Sequence, residues 1–276
     1  MKQKQTTSVK TRHILSLSGG KDSAALAVYM RDRVPEMEYI FHDTGHELPE
    51  TYEYLARLEA YLGKKVQPTR PDYTFDKWLQ VFGGMIPSSR RRWCTKKLKL
   101  EPFESFVGTD PVVNYIGLRA DEDREGYISS KENIRAVYPF REAGLNLRDI
   151  RQILLDSGLG LPSYTNWGRT RSGCYFCFFQ QKIEWVRLKE THPLLFEKAK
   201  EFESGDTTTG KKFFWSDSES LAELERPERV EEIKRKWREK QEKAKESSTK
   251  LVHILVAGEE DNDDDATDTP CLICQI

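Results

Sequence analysis

Apolar residues in the first half of the chain come in short runs separated by turn-forming residues, and the alternation predicts strands and helices in turn. Residues 13–17 read as a short strand, 23–33 as a helix that begins Ser-Ala-Ala-Leu-Ala-Val-Tyr-Met, and 38–42 as a second strand. Two parallel strands joined by a helix require a right-handed crossover. Pro49 opens a helix with Leu55, Leu58 and Leu62 on one stripe, Gly63 ends it, and 65–68 reads as the next strand. Val112 to Ile116 is a further buried strand. This order predicts an α/β fold, a Rossmann-like domain whose doubly wound parallel sheet holds ligands at the carboxyl ends of its strands.

From about Arg141 the pattern changes. Residues 145–156 read as a short amphipathic helix, followed by a Gly/Pro-rich loop that leads to Gly173 and Cys174. Residues 182–202 are helical in pattern, with Pro193 either kinking the helix or starting a second one. Residues 223–246 form a charged helix with Val230, Ile233 and Trp237 as its apolar face, and Trp167, Trp185 and Trp215 read as core aromatics. Residues 258–270 hold seven acidic side chains in 13, which predicts disorder. The expected division is a nucleotide-binding domain over 1–140, a mainly helical cysteine-bearing region over 141–250, and an acidic tail over 251–276.

Charge alters this picture little. The chain of 276 residues is 32% charged with a formal net charge of −1, so there is no global basic signal for nucleic acid. No apolar run approaches the roughly 20 residues that span a bilayer, and the N-terminus lacks an apolar signal core. A soluble, cytoplasmic protein without membrane association is expected. The five cysteines, Cys94, Cys174, Cys177, Cys271 and Cys274, are an odd number and a poor disulfide framework, which points to metal or redox chemistry.

The first chemistry-bearing segment is Ser18-Gly19-Gly20-Lys21-Asp22-Ser23, between the first strand and the first helix. Strand, glycine turn and helix start point backbone N–H groups and a positive dipole end at an anion, and the serines and Lys21 add donors and charge. The ligand is expected to carry phosphate. Asp43-Thr44-Gly45 leaves the second strand, where Asp43 suits a ribose hydroxyl or a metal, or else a simple Asx turn. Six basic residues in the 12 positions 88–99 surround Cys94, and nearby positive charge favours a thiolate. Within that run Arg90 to Arg92 are assigned to anions, and Lys96, Lys97 and Lys99 to a solvated face. Gly117-Leu-Arg119-Ala-Asp121-Glu122 and Arg124 follow a buried strand, and Arg119 offers a fork for an anionic substrate. Cys174-Tyr-Phe-Cys177 suits a redox dithiol, part of a zinc site or part of an iron–sulfur site.

The run 18–23, the Cys94-Thr95 segment with Pro102, and the Gly-x-Arg-x-Asp-Glu motif resemble the PP-loop superfamily of ATP pyrophosphatases, within it the phosphoadenylylsulfate (PAPS) reductase-like branch. The resemblance covers roughly residues 13 to 200. It implies that Ser18, Gly19, Gly20, Lys21 and Ser23 cradle the phosphates of ATP or of an adenylylsulfate, and that Asp22 helps hold Mg2+. It implies nucleotide-binding roles for Asp43, Gly117 and Arg119, and catalytic roles for Lys21, Asp22, Cys94 and Arg119. It also implies that Cys94, Cys174 and Cys177 converge on a 4Fe–4S cluster; Zn2+ is the alternative metal, and the fourth position falls to Cys274 or Cys271 of the tail or is an iron left open to bind sulfide. The tail lacks the Glu-Cys-Gly-Ile-His ending of thioredoxin-dependent PAPS reductases. The expected activity is adenylylation of an acceptor and sulfur transfer to it from the cluster or a cysteine persulfide. The alternatives are an adenylylsulfate or PAPS reductase that releases sulfite, and a non-enzymatic nucleotide- and cluster-sensing module. Expected partners are an adenine nucleotide, a sulfur donor such as a cysteine desulfurase, a nucleic-acid acceptor and a second copy in a homo-oligomer.

Overall fold

The computed structural model describes residues 10–69, 71–123, 125, 126, 129, 131–204, 212–216 and 219–248. The acidic tail, Cys271, Cys274 and Arg124 lie outside the described residues.

The five strands are β1 (Arg12–Leu17), β2 (Glu38–His42), β3 (Val66–Thr69), β4 (Val112–Tyr115) and β5 (Ile134–Val137). They form one parallel sheet in the order β3-β2-β1-β4-β5. The order reverses between β1 and β4, so a crevice opens beyond their carboxyl ends, where doubly wound sheets hold ligands. β5 is an edge strand of four residues, too short and too mixed to stand out in the sequence. β3 carries Pro68, whose missing N–H suits the opposite edge.

Between β1 and β2 runs α1 (Lys21–Met30), whose small side chains Ser23, Ala24, Ala25 and Ala27 are all buried and let the helix lie close on the strands. α2 (Pro49–Leu62) buries Leu55, Leu58 and Leu62, and the chain leaves it through Gly63 in the left-handed conformation (φ 63°). α3 (Phe75–Val81) follows β3, and α4 (Trp93–Thr95) passes through a π turn, Lys96–Leu100, into α5 (Glu101–Val107). In that turn the Glu101 N–H donates to the carbonyl of Lys96, five residues back. Pro102 lacks the N–H that would continue an ordinary α ladder there.

α6 (Pro139–Glu142) and α7 (Leu147–Asp156) come next. Asn146 starts α7 with a capping box, accepting from Arg148 N and Asp149 N while Asp149 accepts from Asn146 N (2.8 Å). α7 packs on α1, and its Ile150 and Leu154 join Leu26, Leu58 and Val113 in the first hydrophobic cluster. A 3-10 turn (Ser163–Trp167) leads through the cysteine pair to α8 (Lys182–Thr191) and α9 (Pro193–Glu201). Pro193 therefore starts a second helix rather than kinking one. α10 (Leu221–Leu224) and α11 (Pro227–Ser248) complete the helical region. The second cluster gathers Trp185, Phe196 and Trp215 from this region with Leu48, Phe75 and Trp93 from the first half. Trp185 and Trp215 are buried, whereas Trp167 is only partly so and donates to Glu50 (3.0 Å).

Candidate functional site

The loop between β1 and α1 is tied to itself by its serines. Ser23 Oγ accepts from Ser18 N (3.1 Å) and donates to Gly20 O (3.2 Å), and Ser18 Oγ accepts from Gly20 N (3.3 Å). Gly20 is the N-cap of α1 and makes no side-chain cap, which leaves the start of the helix presented to an anion. Gly19 has φ +72°, and a Cβ there would stand 2.4 Å from Thr51 Cγ2. A Cβ on Gly20 would meet Ser172 Oγ at 2.8 Å, so both glycines are needed for the loop to fit between α2 and the cysteine-bearing segment.

Lys21 Nζ lies 3.4 Å from the carbonyl of Thr170 and 3.9 Å from Asp22. Asp22 Oδ1 accepts from Arg119 Nη1 at 2.9 Å. Arg119 is further held by Asp121 (3.0 Å) and Glu122 (3.4 Å). Burial opposes the Arg119 charge, but Asp22, Glu122 and Asp121 outweigh it and raise its pKa above the ordinary value. Gly117 brings β4 against α1, since a Cβ there would stand 3.0 Å from the Asp22 carbonyl. The residues expected from two distant motifs thus meet at the reversal point of the sheet. Asp22 faces two cations in this arrangement, which fits an orienting role for Arg119 and does not fit a seat for Mg2+. Asp43 accepts from Gly45 N (2.8 Å) and Tyr52 Oη (2.7 Å), so it builds the Asx turn at the end of β2.

The cysteine pair sits in a turn in which Cys177 N donates to Cys174 O (2.9 Å). Arg169, 1% exposed, grips this turn. Its guanidinium donates to Arg171 O (3.0 Å), Gln180 Oε1 (2.9 Å), Gly173 O (3.2 Å) and Cys174 O (2.8 Å). Gln180 in turn donates to Tyr175 O (2.7 Å) and Cys177 O (3.2 Å). Cys174 pairs with Glu47 as an isolated bridge, and Tyr175 N donates to His46 O (2.9 Å), which docks the turn beside the end of β2. Cys94 and Cys174 border the same hydrophobic cluster, and the Arg92 guanidinium lies over the Phe179 ring (5.1 Å). Soft thiols of this kind suit iron–sulfur or zinc. Among the described residues, however, no three His, Cys, Asp or Glu side chains are gathered as a metal-ion site. In this arrangement the thiols do not form a closed metal site.

Between the two segments lies a small enclosed cavity bordered by Ser18, His42, Glu47, Lys99, Ser172 and Gly173. Lys99 is therefore not part of a solvated basic face. Lys96 is exposed, and Lys97 pairs with Glu101 (2.7 Å) over the Trp78 ring, but the π turn carries Lys99 inward. Thr44 Oγ1 donates to Glu47 Oε1 (3.0 Å) and lies 3.1 Å from Cys174 Sγ. Burial, then Glu47, pushes the Cys174 thiol well above its ordinary range, and burial likewise raises the Glu47 carboxyl. Sequence reading missed Glu47 and Arg169 and misplaced Lys99. Only burial distinguishes them from ordinary turn and surface charges, and burial here is created by segments far apart in the chain.

His42 Nδ1 lies 2.7 Å from Thr69 Oγ1, and burial together with Lys99 pushes its pKa down to about 3. Below about pH 6.5 the unfolded chain takes up a proton that folded His42 refuses. Its contribution to stability is thus lost as pH falls from about 6.5 toward about 3, at up to about 1.4 kcal/mol per pH unit. The urea midpoint should drop between pH 7 and pH 5 more steeply in wild type than in His42→Gln. Parallel profiles would rule out His42 as the source.

Among the described residues no helix is long and apolar enough to cross a membrane. Two uncharacterised proteins of Methanocaldococcus jannaschii are similar to the chain. One is 28% identical over 204 residues, covering 69% of this chain and 41% of the relative. The other is 27% identical over 194 residues, covering 66% and 45%. The chain thus spans less than half the length of these curated relatives. A crystal structure of PAPS reductase from Candida auris, in complex with phosphate, aligns with a TM-score of 0.48 at 14% identity, covering 61% of this chain and 84% of that one. The family model for the phosphoadenosine phosphosulfate reductase domain matches residues 12–175. With the parallel sheet, the serine-tied loop and Arg119 in place, the chain belongs to this PAPS reductase-like family of PP-loop proteins.

Proposed function

We propose that the chain is a nucleotide-dependent sulfur-chemistry enzyme that binds ATP at residues 18–23, adenylylates an acceptor and hands it sulfur. The observation that carries this reading is the abutment of the phosphate loop and the cysteine turn. Gly20 packs against Ser172, and Ser18 and Gly173 border one cavity. Lys21 and the start of α1 would hold the phosphates, and Arg119, oriented by Asp22, would meet the charge that develops at the α-phosphate. An acceptor oxygen attacks that phosphorus and pyrophosphate leaves; a sulfur nucleophile then takes the acceptor and AMP departs. Mg2+ would arrive on the nucleotide. A 4Fe–4S cluster, which would supply a site for sulfide or electrons, would require Cys94, Cys174 and Cys177 to draw together from the arrangement described above. A cysteine desulfurase as sulfur donor, a nucleic acid as acceptor and a homo-oligomeric assembly complete the reading.

The test supplies anaerobically purified protein with ATP and Mg2+, and separately with adenylylsulfate or PAPS plus a thiol reductant. AMP and pyrophosphate from ATP are expected. Sulfite from an adenylylsulfate would assign the reductase activity instead, and nucleotide binding without turnover would leave a sensing module. Iron and acid-labile sulfide are expected in the same sample, and zinc without sulfide would refute the cluster.

A further inference from the structure

The segment that leads into the cysteine turn is anchored on both sides before it reaches Cys174. Thr170 donates to Glu184 Oε1 through its N–H (2.7 Å) and its Oγ1 (3.0 Å). Glu184, 1% exposed near the start of α8, accepts from Gln181 N (2.9 Å) through its other oxygen. From the opposite side the Arg169 guanidinium holds the carbonyls of Arg171, Gly173 and Cys174. Ser172 lies between these anchors, so its place is set by the helical region. It is 8% exposed, and its hydroxyl makes no hydrogen bond among the described residues. Nor is that hydroxyl one of the orphans sealed from solvent, as Ser16 Oγ and His42 Nε2 are.

This hydroxyl stands at the start of α1. A Cβ on Gly20, the N-cap residue, would lie 2.8 Å from Ser172 Oγ and 3.5 Å from Ser172 Cβ. An N-cap serine carries its hydroxyl from that same position and accepts from the first N–H groups of its helix. Here a hydroxyl reaches the position from a distant segment, and no cap bond forms. The N–H groups of Asp22 and Ser23 precede the first bond of the ladder, from Ala24 N to Gly20 O (3.1 Å). A serine hydroxyl can rotate to donate. Helix N–H groups, the Lys21 ammonium and a donating Ser172 are then all matched by one kind of partner, an anion with several oxygens. The carboxylate of the loop does not stand in the way, because Asp22 is already paired with Arg119 (2.9 Å).

We propose that Ser172 is a phosphate-binding residue, donating its hydroxyl to the phosphate chain of the nucleotide held at residues 18–23. The proposal rests on the nucleotide-dependent reading above and adds to it a contact from the helical region. Anchoring by Glu184 and Arg169 fixes the hydroxyl before the ligand arrives, which limits the ordering cost of the contact. Ser172 and Cys174 lie on one anchored stretch, so a phosphate gripped by Ser172 also fixes the cysteine turn relative to the nucleotide.

The test uses the full chain, purified without oxygen, and calorimetric titration with ATP and Mg2+ and, separately, with inorganic pyrophosphate. Ser172→Ala should weaken the binding of both roughly tenfold, the effect of one hydrogen bond to a charged group. Ser172→Thr and Ser172→Val form a second pair of nearly equal shape, which serves should the alanine variant fold poorly. Threonine keeps the hydroxyl and should bind roughly tenfold more tightly than valine, a difference that a packing role would not produce. Equal affinities in wild type and a folded alanine variant, or in the threonine and valine variants, would overturn the proposal. Release of AMP and pyrophosphate, followed in the same samples, separates the two readings. ATP turnover with binding indifferent to the hydroxyl refutes the role of Ser172 alone. Hydroxyl-dependent binding without turnover refutes the parent reading alone, and a wild type that binds neither probe refutes both.

Discussion

Replacement of Arg169 by methionine should lower the unfolding free energy by roughly 3–5 kcal/mol, the largest single-residue effect expected in this protein. The methionine fills much of the volume but donates nothing. It leaves the carbonyls of Arg171, Gly173 and Cys174 and the amide oxygen of Gln180 without their shared donor inside the fold. The turn carrying Cys174 should then loosen. Denaturant titration reads the stability, and the rate of Cys174 alkylation, followed by mass spectrometry, reads the turn. Arg169→Lys separates charge from geometry, because an ammonium keeps the charge but cannot reach four acceptors in one plane. Lysine should recover only part of the loss. A methionine variant with wild-type stability and alkylation rate would show that the turn is held by other means.

The second large effect is expected at Gly19. Gly19→Val combines two penalties, a branched side chain at φ +72° and a Cβ placed 2.4 Å from Thr51 Cγ2. Together they should cost about 3 kcal/mol of nucleotide affinity, roughly a hundredfold, with a lower thermal midpoint. Gly19→Ala combined with Thr51→Ala dissects the two. Removal of the threonine methyl relieves the collision, and its hydroxyl is a buried orphan whose loss breaks no hydrogen bond among the described residues. The double variant should bind more tightly than Gly19→Ala alone and less tightly than wild type. Calorimetric titration with ATP and Mg2+ decides the matter, and unimpaired binding by Gly19→Val would remove this loop from the nucleotide site.

The parts of the fold legible in the sequence are those whose signals are local. β1, β2 and β4 each carry a short apolar core, Ile14-Leu15, Tyr39-Ile40-Phe41 and Val112-Val113, without the strict polar alternation of a half-exposed strand. α2 announces itself with a proline at its start and a glycine past its end. β5 has a mixed four-residue sequence, and α3 spans seven residues, too short for a helical period to register. The candidate site divides the same way. The glycine loop is legible because strand, glycine turn and helix start are contiguous in the chain, and the Arg119 motif because its charged residues lie close together just after a buried strand. Asp22 is visible as a carboxylate, but its role as the partner of Arg119 depends on two strands becoming neighbours. Glu47, Lys99 and Arg169 are ordinary charges in sequence, and tertiary burial alone gives them their chemistry.

The π turn ahead of Pro102 carries a consequence for how this helix tolerates change. An α-helix advances about 100° per residue, so accommodating one residue beyond the ordinary repeat rotates everything downstream by that angle. The bond from Glu101 N to Lys96 O is the mark of that offset. The spacing between Cys94 and Pro102 therefore acts as an angular setting, fixing which lysine points at the cavity and which at solvent. Shortening the stretch by one residue would leave every side-chain type in place and turn the wrong cation inward. Composition in this helix is negotiable; length is not.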